Sequence, residues 1–257
     1  MPGVIISFMQ AVRAPAVAGS FYPADPSQLR ATVARLLAAA QDGSRPKALI
    51  APHAGYVYSG PVAASAFRRV VDAPVQRVVL LGPSHFVPLR GLALPGAAAM
   101  RTPLGDVPVE DAPLPQDPRA HAEEHSLEVE LPFLQVALRS FTLVPLAVGD
   151  AAPDEVANVI EQFWGGAETL IVVSSDLSHY QPYADAQRAD AASAKEILAL
   201  GRLTRDDACG AAPVNGLLLA AKRRGLRPEL IDLRNSGDTA RDKKKVVGYG
   251  AFAFYER

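Results

Sequence analysis

Residues 170–180 read LIVVSSDLSHY. An unbroken apolar run of this length is the signature of a strand buried on both faces of a sheet, rather than one with a wet side. It stops at Ser174 and within five residues presents Asp176 and His179. Both side chains are costly to bury unless they are paired, hydrogen-bonded or bound to a metal. Two further apolar runs end in the same way. ALIAP (48–52) is followed by His53, and VVLLGPS (78–84) by His85.

Helical patterns fill the spaces between these strands. LRATVARLLAAA (29–40) sets Leu29, Val33, Leu36 and Leu37 on one stripe, with Ser27 as its expected N-cap. PVAASAFRRVV (61–71) opens on a proline, which the first helical turn tolerates. Residues 93–118, rich in proline and glycine, read as a hairpin or a surface excursion. The alternation then resumes: EEHSLEVELPFLQVALR (123–139) as a helix, FTLVPLAVG (141–149) as a strand, DEVANVIEQFWG (154–165) as a helix, and the opening strand. Helices over about 186–200 and 214–224 and strands ELIDLRNS (229–236) and VVGYGAFAFYE (246–256) complete the chain. No repeat or linker divides it. The expected fold is one α/β domain over residues 1–257, a three-layer α/β/α sandwich with a mostly parallel or mixed central sheet, and about 1–12 as a disordered extension.

Composition narrows the function. Of 257 residues, 49% are hydrophobic and 21% charged, with a net charge of −1, as in an ordinary globular protein. The one basic run, Arg241–Lys245, is short and interrupted by Asp242, so no nucleic-acid partner is expected. Cys209 stands alone, which excludes an intramolecular disulfide. The first residues make a poor signal peptide, and no run reaches the roughly 18 apolar residues that span a bilayer. The expectation is a cytoplasmic protein without membrane contact. Walker and dinucleotide glycine motifs are absent, as is a GxSxG elbow.

In open α/β sheets, ligands bind beyond the carboxyl ends of the strands. Three of the five histidines fall there, so neighbouring parallel strands would gather them beside Asp176. Singly, each would be a turn histidine; together they suit a metal site or an acid–base site. His121 and His125, four apart in the predicted helix, share a face, but Ala122 stands where a zincin requires glutamate. Cys209 precedes a helix. It is either a small buried hydrophobe or a thiol whose pKa the helix N-terminus lowers.

Eight blocks then fall into a known order: AGSFYP (18–23), APHAGYVYSG (51–60), LGPSH (81–85), TPLGDVPV (102–109), EHSLEVELPF (124–133), SSDLSHY (174–180), CGAAPVNGLL (209–218) and VVGYGAFAF (246–254). Together they resemble the Memo family over nearly the whole chain, from about Arg13 onward. The resemblance implies the fold of the class III extradiol dioxygenases. It also implies a metal held by His53, His85 and Cys209, with Asp176 and His179 flanking it as catalytic groups and His125 lining the substrate cleft. Iron is the first expectation for the metal, with copper and zinc as alternatives. Bacterial members resemble protein B of the AmmeMemoRadiSam set, which implies radical-SAM and AMMECR1-like protein partners. Three functions remain open at this point: a redox or oxygen-dependent enzyme of unknown substrate, a non-catalytic peptide- or partner-binding module, and a zinc hydrolase.

Overall fold

The computed structural model describes residues 12–240 and 242–256. The expected disordered extension therefore lies outside the described residues except at Val12, which opens the first strand. In chain order the elements are β1 (Val12–Arg13), α1 (Pro26–Ala39), β2 (Ala48–Ala51), α2 (Gly60–Phe67) and β3 (Arg77–Pro83). Next come β4 (Leu92–Ala93), β5 (Ala99–Thr102), β6 (Gly105–Pro108), α3 (Pro118–Ala122), α4 (Leu131–Ala137) and β7 (Thr142–Val148). Then follow α5 (Pro153–Gln162), β8 (Thr169–Ser174), β9 (His179–Gln181) and α6 (Tyr183–Leu198). The last are α7 (Ala211–Arg224), β10 (Arg227–Asn235), α8 (Ser236–Thr239) and β11 (Val246–Tyr255).

The main sheet runs β10-β11-β2-β8-β3-β7-β4, with β9 added against β11. Its four middle strands, β2, β8, β3 and β7, are parallel, and the pairings toward both edges are antiparallel. The sheet is therefore mixed. Successive side chains of a strand point to opposite faces, and the two cores divide accordingly. Leu49, Val78, Leu80, Leu170 and Val172 pack with helices α1, α2 and α4 on one side. Ile50, Val79, Leu81, Ile171 and Val173 pack with α5, α6 and α7 on the other. This is a three-layer α/β/α sandwich. Helices α5 and α7 meet closely at Gly216, where an added Cβ would lie 2.2 Å from Val156. No helix among the described residues is long and apolar enough to cross a membrane.

Two local expectations change and one is met. The cap of α1 is Asp25, whose carboxylate accepts from the Gln28 amide, and Ser27 lies inside the first turn. Asp25→Ala should therefore cost about 1 kcal/mol in denaturant titrations, and Ser27→Ala almost nothing; the reverse order would restore the cap to Ser27. Residues 93–118 contain the β5–β6 hairpin, to which β1 adds in parallel as a small second sheet. The helix expected over 123–139 is broken. After α3 the chain loops through Glu124–Leu127, makes a 3-10 turn at Glu128–Glu130 and only then enters α4 at Leu131. Glu124, Glu128 and Glu130 are all buried, each turned inward to partners far along the chain. The Glu124 carboxylate bonds the amides of His125 and Ser126, competing with helical hydrogen bonds there.

Candidate metal centre

Strand β8 lies between β2 and β3, with Ala51 opposite Ser174 and Leu81 opposite Val173. Each of these strands hands the chain to a tight turn at its carboxyl end. His53, His85 and Asp176 all line one cleft, together with His125, His179 and Cys209. Cys209 arrives from the other direction, one residue before Gly210, the N-cap of α7. Gly210 permits this approach: a Cβ there would stand 2.6 Å from that of Ser175 and 2.8 Å from the Ser174 carbonyl.

His53 is held on three sides. Its amide donates to Asp176 Oδ1 at 2.9 Å, its Nδ1 lies 2.7 Å from Ser174 Oγ, and its Nε2 faces Cys209 Sγ at 3.4 Å. The Asp176 amide in turn donates to the same sulfur at 3.3 Å. His85 is fixed by Glu124, which takes its amide at 2.6 Å and stands 2.9 Å from its Nδ1. The rings of His85 and His125 stack at 4.8 Å, and His53 meets each edge-on at 5.3 and 5.5 Å.

Burial sets the charge of the cluster. It pushes His53 well below the usual imidazole value, helped by the nearby His85, His125 and His179, so His53 is neutral. Burial also raises Asp176 to about 7 and, with the Asp176 charge, pushes the Cys209 thiol up to about 12. The lowered thiol pKa expected from the helix N-terminus is thus overturned, because desolvation of the thiolate outweighs the dipole. Glu124 is also desolvated, yet its hydrogen bond and attraction to His85 hold it down to about 2.

Donor atoms of His53, His85 and Cys209 all lie within 4.8 Å of one another. Two ligands at about 2.0 and 2.3 Å from a tetrahedral ion stand about 3.5 Å apart, which matches the 3.4 Å between His53 Nε2 and the sulfur. His85, Glu124 and His125 form a second such group. There, however, Glu124 already accepts from the His85, His125 and Ser126 amides and from the His85 ring. Glu124 therefore orients His85, as carboxylates behind metal-bound histidines do. The first group is the better metal set.

The remaining residues sort clearly. His125 lines the cleft, its ring 4.8 Å from that of Phe21. His179 opens β9 on the exposed cleft wall, and partial burial lowers its pKa. Asp176 is bonded to the His53 amide, and among the described residues no hydrogen bond joins it to His179. His121 leaves the site: it is buried in α3 with Nε2 2.8 Å from the Ala93 carbonyl, so it shares no helical face with His125. Reading the chain alone missed Glu124, Ser174 and Glu130. Their only signal was acids interleaved with apolar residues in EHSLEVE and a serine closing an apolar strand.

The cleft has a volume of about 1090 Å³. A second cavity of about 650 Å³ shares His85, Arg205 and Cys209 with it. Around the larger mouth stand Tyr58, Phe86 and Tyr180, exposed by 44, 59 and 69%. Tyr180 holds φ at +57°, a strained value for a bulky residue.

Fold and cleft together define an α/β/α sandwich protein with a histidine–cysteine cluster at the carboxyl ends of its parallel strands. A family model described as Memo-like protein matches residues 13–253. A MEMO1 family protein of Aquifex aeolicus is 37% identical over 273 residues, covering 95% of this chain and 99% of that one. Those of Archaeoglobus fulgidus and Sulfolobus acidocaldarius are 35% and 33% identical, each with 95% and 99% covered. The chain belongs to the Memo family.

Proposed function

We propose that His53, His85 and Cys209 hold one metal ion and that the cleft is the active site of a redox or oxygen-dependent enzyme acting on a small molecule. The observation that carries this reading is the approach of three donor atoms to within 4.8 Å at strand ends, with His53 Nε2 and Cys209 Sγ at ligand-to-ligand spacing. Iron is the first choice, by the resemblance to the class III extradiol dioxygenases; copper and zinc also suit imidazole with thiolate. The metal would supply Lewis acidity and, if redox-active, electron transfer. The chain's own groups do the rest. Asp176 anchors the His53 main chain through its carboxylate and the Cys209 sulfur through its amide. His179, on the cleft wall, would move a proton to or from a substrate hydroxyl as general acid/base.

Metal analysis of protein purified without oxygen tests this reading, with one ion per chain expected. Metal no higher than in a buffer control overturns it. Zinc together with no oxygen uptake from a panel of catechols favours a hydrolase instead. Glu124→Gln, which removes the charge behind His85, should weaken metal binding by about 10–100-fold in competition titrations; an unchanged affinity would remove Glu124 from the site.

A second reading, a partner-binding module, is supported by the exposed aromatic residues at the cleft mouth, since exposed apolar side chains that cluster mark interaction sites. Radical-SAM and AMMECR1-like proteins are the partners proposed, by the family resemblance. If Cys209→Ser leaves capture of these purified proteins intact while metal uptake falls, binding and metal are separate properties of the cleft.

A further inference from the structure

Glu130 is fully buried on the far side of Ser174 from the cleft, and the proposed metal chemistry makes no use of it. Its surroundings fix where protons must lie. Ser174 Oγ has three close neighbours: the Ser126 carbonyl oxygen at 2.6 Å, His53 Nδ1 at 2.7 Å and Glu130 Oε1 at 2.8 Å. A hydroxyl has one proton to donate and two lone pairs to accept with. The Ser126 carbonyl can only accept, so its short contact consumes the serine proton. The other two contacts are hydrogen bonds only if Glu130 and His53 Nδ1 each bring a proton of their own.

We propose that Glu130 is a neutral carboxylic acid and acts through Ser174 as a positioning residue, locking His53 in the Nδ1–H form with its Nε2 lone pair directed at Cys209. A second observation agrees. Glu130 Oε2 is buried without a hydrogen-bond partner among the described residues, a cost far larger for a carboxylate than for a neutral acid. Among the described residues no lysine or arginine bonds Glu130, and its charged neighbour, Asp176, has the same sign. The free imidazole more often carries its proton on Nε2, the atom a metal would need. The chain from Glu130 through Ser174 reverses that choice before any metal arrives. The value of this arrangement for metal binding rests on the proposed metal centre, whereas the tautomer itself does not.

Both parts can be read on metal-free protein. In infrared difference spectra of wild type against Glu130→Gln, the carbonyl stretch of a protonated carboxylic acid should appear in wild type, vanish in the variant and persist at neutral pH, well above ordinary glutamate titration. Nitrogen-15 NMR should show His53 protonated at Nδ1 in wild type and in Glu130→Gln, whose side-chain amide can donate to Ser174 in place of the acid. In Ser174→Ala the ring should revert to a mixture dominated by Nε2–H. An absent or titrating carboxylic-acid band, or an Nε2–H ring in wild type, overturns the proposal. So does a Ser174→Ala ring identical to wild type; if that variant does not fold, the infrared result and the wild-type tautomer decide. With metal added, Glu130→Gln should bind within about twofold of wild type and Ser174→Ala about 10–100-fold more weakly. A wild type that binds no metal would defeat the proposed function and leave the tautomer result standing.

Discussion

Cys209→Ser, or His53→Ala combined with His85→Ala, should lower metal affinity by more than about 100-fold, beyond the range seen when only an outer hydrogen-bond partner is lost. Serine nearly preserves the size of cysteine but offers a hydroxyl that does not ionise and a harder donor atom. The pH dependence separates a lost ligand from a disturbed fold. Because burial holds the Cys209 thiol at about 12 without metal, ion binding must expel that proton. Affinity of the wild type should therefore rise about tenfold per pH unit from this group through the neutral range. His53 is already neutral there and releases no proton. In Cys209→Ser the slope should fall by one proton per ion, measured by competition with a chelator across pH. His125→Ala serves as the control, since His125 lines the cleft outside the proposed ligand set, and should bind within about tenfold of wild type. Wild-type affinity in the serine variant, or a slope that does not change, would remove the sulfur from the coordination sphere.

Glu128→Ala should destabilise the protein by about 3–5 kcal/mol, the usual result of breaking a buried ion pair from one side. Glu128 is fully buried and accepts from the Arg13 guanidinium, the Tyr22 hydroxyl and the amides of Ala16 and Val17, at 2.7 and 3.0 Å. Arg13 also donates to the His121 carbonyl at 2.9 Å and to that of Glu124. One carboxylate thus fastens the whole segment from Arg13 to Tyr22 against the body of the protein. Without it, Arg13 would keep an uncompensated charge at 8% exposure. The loss should appear as a lower urea midpoint at unchanged slope, the mark of changed stability without a changed unfolded state. The same segment carries Ser20 and Phe21 into the cleft wall, so Glu128→Ala should loosen one side of the cleft while leaving the proposed metal ligands in place. A midpoint shift worth less than about 1 kcal/mol would mean that the segment is held by its apolar contacts instead.

The features that could be read in advance were those generated within a few residues. Apolar strands such as VVLLG and LIVV declare burial on both faces by composition alone, and glycine and proline after them declare turns. His53, His85, Asp176 and His179 were visible as polar residues closing such strands. The stretch EHSLEVELPF was not readable in this way. Its periodicity suits a helix, but Glu124, Glu128 and Glu130 answer to His85, Arg13 and Ser174, which stand 39, 115 and 44 residues away. Nothing local shows that those partners exist. For Cys209 the choice between a buried thiol and an activated one stayed open for a related reason: the helix N-terminus can be seen in the sequence, but the burial that outweighs it cannot.

The sequence by itself determined the layers, since hydrophobic period and turn chemistry are properties of short segments, and it placed three imidazoles at strand ends. Only the tertiary structure decided that they meet. The fourth of the parallel strands, β8, inserts between β2 and β3 rather than following β7 at the edge, which brings Ser174 and Asp176 against His53. Strand order is set by long-range packing of two helical layers on a shared sheet, an energy summed over the whole core, and no window of sequence carries that sum.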